Sequence, residues 1–221
     1  SLLMVPSTYE AGKLYNVLPS GNRAPDNKGG AGYDQTRADF DFDRGSNAAA
    51  TRINSSGLIE KYRENTLLNS NQFNTTWVAT SVSLTSGQSG YDGSSDAWKL
   101  QSNGGNYCRV HQITSVNSVV TNSIYAKAGN VNFIGATATS GSGSDVVVFN
   151  LSTGVVSSTT GSNVIDAKIE QVGATDWYRC SVPSTAYSLG YALWYVSDSG
   201  SSGSSSGDYI FIQDAQQELG L

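Results

Sequence analysis

Histidine occurs once in this 221-residue chain, at His111, so any Ser/His/Asp or Cys/His relay has to be built around that imidazole. It sits in the run NYCRVHQIT, where strand alternation puts Tyr107, Arg109 and His111 on one face. No nucleophile beside it can be named, and His111 reads as a strand-face histidine rather than a catalytic base. Zinc sites draw on several His and Cys ligands, which one histidine and two cysteines do not supply in a usual spacing. Cys108 and Cys180 lie in separate strand-like runs, NYCRVHQI and DWYRCSVP. They are expected to be buried free thiols, with a disulfide across neighbouring strands as the alternative.

Paired carboxylates are the next chemistry to weigh, because a glycosidase needs two of them roughly 5–10 Å apart. In DFDFDRG, Asp39, Asp41 and Asp43 alternate with Phe40 and Phe42, which places neighbouring carboxylates about 7 Å apart along one strand face. A solvated face over packed rings explains that pattern more simply. Oxygen ligands for calcium exist in Asp92, Asp96, Asp208, Asp214 and Glu218, but no loop has EF-hand spacing. No cofactor is expected, and a structural calcium stays open. The glycine-rich NKGGAGYD and SNGGNY lack the Lys-Ser/Thr and following helix of a phosphate cradle. The sequons at Asn54, Asn74 and Asn150 matter only in a eukaryotic secretory pathway.

What remains is adhesion. A saccharide face mixes aromatic rings, which cover the apolar faces of the sugar, with polar groups that fix its hydroxyls. Tyr107, Arg109 and His111 on one strand and Trp194 on another make the candidate ligand-binding set. Trp98 and Trp177, set among apolar neighbours, read as core.

These side chains need a scaffold, and composition points to an all-β one. Charged residues make up 14% of the chain, against a usual share of about a quarter, so Ser, Thr, Asn and Gly must carry solubility. The net charge is −5, with no basic block, which argues against nucleic acid. No run approaches the roughly 20 apolar residues of a membrane helix, and SLLMVPSTYEAGKLY lacks the basic leader and apolar run of a signal peptide. Residues 1–66 read as an extended, Gly-, Pro- and Asn-rich arm ending in a hairpin, AATRIN and LIEKYRE around Ser55-Ser56-Gly57. From residue 67 to 221, short runs rich in Val, Ile, Tyr, Trp and Thr alternate with Ser, Gly and Asn clusters, the signature of an antiparallel β-sandwich or barrel. The segment from Ile165 to Val172 carries the one weak helix signal, and SDSGSSGSSSGD reads as a flexible connecting loop.

The phrase FDFDRGSNAAATRINSSGLIEKYREN, followed by ENTLLNSNQFNTTW, resembles a module at the start of many bacteriophage virion proteins. YDGSSDAWKL, SIYAKAG, VVFNLSTGVV, AKIEQVGATDWYRCSV and IFIQDAQQELG resemble the later strands of the same module. The resemblance runs from about residue 40 to the end and is specific as an ordered series rather than phrase by phrase.

It implies a jelly-roll, carbohydrate-binding-module-like domain over residues 67–221, displayed on a tail, tail fibre, head fibre or capsid decoration. Residues 1–66 would then anchor it to other virion proteins, with assembly in the bacterial cytoplasm and a homotrimer as the expected state. Weak attachment to a host-surface glycan through many copies is compatible with that role. A carbohydrate-binding module of a larger protein is the alternative. A polysaccharide depolymerase is a further one, disfavoured because most such enzymes are long, repetitive parallel β-helices and no repeat is visible.

Overall fold

The structure, a computed structural model, describes residues 51–53, 59–61, 65–114, 116, 118–138, 145–185 and 190–220. The chain divides into two compact units, Ser1–Tyr62 and Arg63–Leu221. In the first, β1 (Thr51–Ile53) and β2 (Ile59–Lys61) pair antiparallel, Thr51 opposite Lys61 and Ile53 opposite Ile59. This is the expected hairpin. The extended arm and the Asp39–Asp43 alternation lie outside the described residues.

The second unit is an antiparallel β-sandwich. Its strands are β3 (Val78–Thr80), β4 (Val82–Gln88), β5 (Ala97–Ser102), β6 (Gly105–Asn106), β7 (Arg109–Thr114), β8 (Val120–Ala128) and β9 (Phe133–Thr137). They continue with β10 (Val146–Asn150), β11 (Val155–Thr159), β12 (Lys168–Gln171), β13 (Trp177–Ser184), β14 (Gly190–Ser197), β15 (Gly203–Ser204) and β16 (Tyr209–Leu219). One sheet has the order β11-β10-β9-β14-β7-β3, the other β12-β13-β8-β16-β5-β4, and β15 pairs with β6 separately. The chain passes repeatedly from one layer to the other, while β4–β5, β9–β10–β11 and β12–β13 stay as neighbours within one sheet. This is the jelly-roll arrangement.

Period-two alternation explains what fills the gap between the layers. Val110, Ala192, Trp194, Val196, Ile134, Ala136, Val147 and Phe149 point inward from the first sheet. Trp98, Leu100, Ile124, Ala126, Cys180, Val182, Ile210 and Ile212 meet them from the second. The segment after residue 65 closes one side. Its Phe73 ring lies 5.0 Å from Trp77 and 6.2 Å, edge to face, from Trp98. The indoles find backbone acceptors, Trp98 Nε1 donating to the Asn71 carbonyl at 2.9 Å and Trp77 Nε1 to that of Asn69 at 3.3 Å.

Two positions of left-handed backbone redirect this pattern. WVATSVSLT reads as one strand, but Ser81 has φ +53 and divides it, sending β3 to the first sheet and β4 to the second. Asp214, φ +46, makes a bulge in β16, where the register with β8 shifts between Gln213 and Gln216. Before the bulge Ile210 and Ile212 face the core; after it Ala215 and Gln217 do. The buried Gln217 amide is satisfied by Thr66, Thr114 and Asn122 at 2.6, 2.7 and 3.0 Å. The helix signal over Ile165–Val172 gives way to β12, because Ile169 turns toward the core opposite Cys180 while Lys168 and Glu170 face solvent. Among the described residues there is no helix.

Trp194, fully buried between the layers, is the largest side chain supplied by the first sheet. Trp194→Ala is expected to cost about 3–5 kcal/mol, the range for emptying an aromatic core site, read from the denaturant midpoint. A change below about 1 kcal/mol would contradict this placement.

Candidate functional site

The outward faces of β7 and β14 lie side by side. Their register puts Tyr191 opposite Ile113, Leu193 opposite His111 and Tyr195 opposite Arg109. Because Val110, Gln112, Ala192 and Trp194 are committed to the interior, Arg109, His111, Tyr191, Leu193 and Tyr195 must face out. On β9, Thr137 continues the Leu193 row and Gly135 the Tyr195 row. Tyr107, held just before β7 with φ +53, donates its backbone N–H to the Ser202 carbonyl at 2.8 Å.

Rings organise the face in two pairs. Tyr107 meets Tyr195 edge to face, with centroids 5.4 Å apart and planes at 73°. His111 and Tyr191 lie near parallel, 6.1 Å apart at 28°. Gly135 is the seat of Tyr195: a Cβ there would collide with the phenol ring, so the ring lies flat on bare backbone.

The polar atoms of this face are short of partners. Arg109 Nε, His111 Nδ1, Thr137 Oγ1 and Tyr195 Oη are all buried without a hydrogen bond. Trp194 Nε1 shares that state, but it is inside the sandwich. An orphaned buried polar group costs about 1–3 kcal/mol, and most native examples find a partner or a reason. Burial, and then the Arg109 charge, lowers the His111 pKa below its usual value, favouring the neutral ring. Burial raises that of the Tyr195 phenol. Arg109 and His111 are half-buried on this face, whereas Tyr195, Leu193 and Thr137 are 0%, 1% and 3% exposed and so are covered. No carboxylate stands in the rows defined by Tyr195–Arg109 and Leu193–His111 among the described residues.

The sequence-derived set is therefore brought together in part. Tyr107, Arg109 and His111 share the face. Trp194 does not: it is fully buried opposite Val110, and its neighbours Leu193 and Tyr195 take the outward positions. Tyr191, Tyr195 and Thr137 lie on the same face and are not among the residues the sequence picked out. The run YALWYVS is apolar on both parities, because Leu193 and Tyr195 are covered outside while Ala192, Trp194 and Val196 are covered inside. Alternation therefore gave no sign of which ring faced out.

Other candidates take different roles. Trp98 is core, but Trp177 is paired with Lys127 on the outer face of the second sheet. Cys108 and Cys180 are buried free thiols, and burial pushes the Cys180 thiol pKa upward. Asp92 and Asp96 converge on the Gln213 amide, which donates to them at 3.3 and 2.7 Å and accepts from Tyr91 N at 3.0 Å. Asp214 accepts the Tyr91 hydroxyl at 3.1 Å, and burial raises its pKa. Asp208 instead caps Ser205 N at 2.6 Å, and Glu218 accepts from Gln216. Among the described residues no group of three or more His, Cys, Asp and Glu forms a metal-ligating cluster.

No protein-family model matches this chain, and no curated protein matches it. Among solved structures, TmCBM61 in complex with β-1,4-galactotriose aligns over 70% of this chain and 97% of that one, at 13% identity and a TM-score of 0.43.

Proposed function

We propose that the sandwich is a non-catalytic saccharide-binding module whose ligand lies across the outer face of β7 and β14. The observation that carries this is the cluster of Arg109 Nε, His111 Nδ1, Thr137 Oγ1 and Tyr195 Oη, buried and unpartnered beside two ring pairs. A sugar is the ligand class that supplies hydroxyls able to donate and accept to such a set, together with C–H faces that cover rings. A hydrolytic reading would need a carboxylate pair, which the rows around Arg109 and His111 do not supply among the described residues. Display on a bacteriophage particle, with anchoring through residues 1–66 and several copies per virion, rests on the ordered resemblance of residues 40–221. Weak single-site affinity would then suffice through avidity.

The full chain is expected to be retarded in affinity gels containing bacterial surface polysaccharides. Tyr191→Ala and His111→Ala should each lower affinity tenfold or more, about 1.4 kcal/mol, without shifting the unfolding midpoint by a comparable amount. Full retardation in both variants would remove the site.

The imidazole gives a second readout. Its pKa is depressed on folding by burial and by Arg109, so between the folded value and the unfolded 6.5 or so the unfolded chain binds more protons. Stability from this group is complete above that unfolded value and is lost as pH falls through the window below it. The single histidine proton resonance should titrate with a midpoint below 6.5, and saturation with ligand should move it further. A midpoint above 7 would contradict the buried, Arg109-flanked setting.

A further inference from the structure

The outer face of the second sheet carries a different arrangement. Register aligns one row straight across it: Thr85, Lys99, Phe211, Lys127 and Trp177, on β4, β5, β16, β8 and β13. Cations and rings alternate. Lys127 Nζ is 5.1 Å from the Phe211 centroid and 5.6 Å from that of Trp177, and Lys99 Nζ is 4.1 Å over Tyr209. Tyr209 and Phe211 meet edge to face at 5.6 Å. With strands about 4.8 Å apart, the two ammonium groups stand on positions roughly 10 Å apart. Neither forms an ion pair with an acid among the described residues, where Lys168 and Asp166 do so at 2.9 Å.

Next to this row is a pocket of about 350 Å³, bounded by Lys127, Tyr209, Phe211, Tyr178, Ser152 and Asp176. That volume is at the lower end of ordinary small-ligand sites. Gly129 shapes it: a Cβ at that position would collide with the Tyr209 ring and carbonyl, so the ring is held close to β8 by a missing side chain. A protein with net charge −5 thus sets two ring-held lysines beside a polar pocket whose lining includes one acid, Asp176.

We infer that this pocket and row form a second saccharide site, selective for sugars bearing a carboxylate. The carboxylate pairs with Lys127, whose ammonium the rings orient and partly desolvate. Ser152 and Asp176 take hydroxyls, and Lys99 meets a later acidic residue of a longer chain. Single-stranded nucleic acid, the other polyanion that uses rings and cations, needs open ring faces for base stacking. Here Trp177 is 3% exposed, and Tyr209 has Lys99 across its face. The site is on the opposite layer from the β7–β14 face and stands whether or not that face binds sugar.

The test is calorimetric titration of the full chain with an oligogalacturonate and with its methyl ester, alongside an oligothymidylate and a polyglutamate. The acid form is expected to bind at least tenfold more tightly than the ester, with affinity falling as salt rises. Lys127→Met should weaken acid binding tenfold or more. Lys127→Arg should retain it, and circular dichroism should show both variants folded. Tyr191→Ala should leave it unchanged. Equal affinity for acid and ester, no binding of either, undiminished binding by Lys127→Met, loss with Lys127→Arg or with Tyr191→Ala, or equally tight binding of the nucleotide or peptide polyanion would each overturn the assignment.

Discussion

The structure depends on how Trp98, Trp194, Phe73 and Phe149 are buried between two sheets. A strand has two faces, and once one residue is committed to the interior the parity of its neighbours is fixed. Putting Trp194 inside forces Tyr195, Leu193 and Tyr191 outside, beside Arg109 and His111. Putting Ile210 and Ile212 inside forces Phe211 out, between Lys99 and Lys127. The core therefore positions both outer faces, and a side chain of the wrong size at Trp194 would shift the outward residues of its own strand, β14.

That parity is interrupted in one place where the chain needs it. The Asp214 bulge exchanges even for odd inward positions along β16, ending the pairing with β5 at Ile212 and opening a gap that residues 65–70 fill. Thr66 N donates to the Gln217 carbonyl at 2.8 Å and Ala215 N to that of Ser70 at 3.0 Å. The Asn65 carboxamide accepts from both Leu67 N and Gln217 N at 3.0 Å. The entry segment is thereby tied to the last strand by backbone and amide hydrogen bonds rather than by ion pairs. A chain with 14% charged residues has few other means of doing this, and buried amides serve because each is fully partnered.

Much of this was legible. Short β-rich runs punctuated by Ser, Gly and Asn gave the sandwich and most of its strands, and alternation in NYCRVHQIT put Arg109 and His111 together. The failures share a cause. Ser81 and Asp214 adopt left-handed backbone without being glycine, so nothing local announced the split of β3 from β4 or the parity change in β16. YALWYVS is covered on both sides, so its pattern carried no direction. Trp177 reads as core from its apolar sequence neighbours and is indeed buried, 3% exposed; but its cover comes from the outer side of the sheet, from Lys127 and Tyr91, contacts that arise from strands and loops distant in sequence.

The two outer faces use the same device with different chemistry. Each seats a tyrosine on a glycine, Tyr195 on Gly135 and Tyr209 on Gly129, so that the ring lies closer to the sheet than any Cβ would permit. On the first face the seated phenol oxygen has no hydrogen-bond partner and the residue lies opposite Arg109, edge to face with Tyr107. On the second it underlies an ammonium. Glycine inside a strand or at its end loses backbone entropy, about 0.5–1 kcal/mol relative to alanine, and the packing of each seated ring against a second ring, Tyr107 on one face and Phe211 on the other, offsets it. Because the full thickness of the core separates the faces, substitutions on one should add to, rather than modify, substitutions on the other, which makes the two faces separable by experiment.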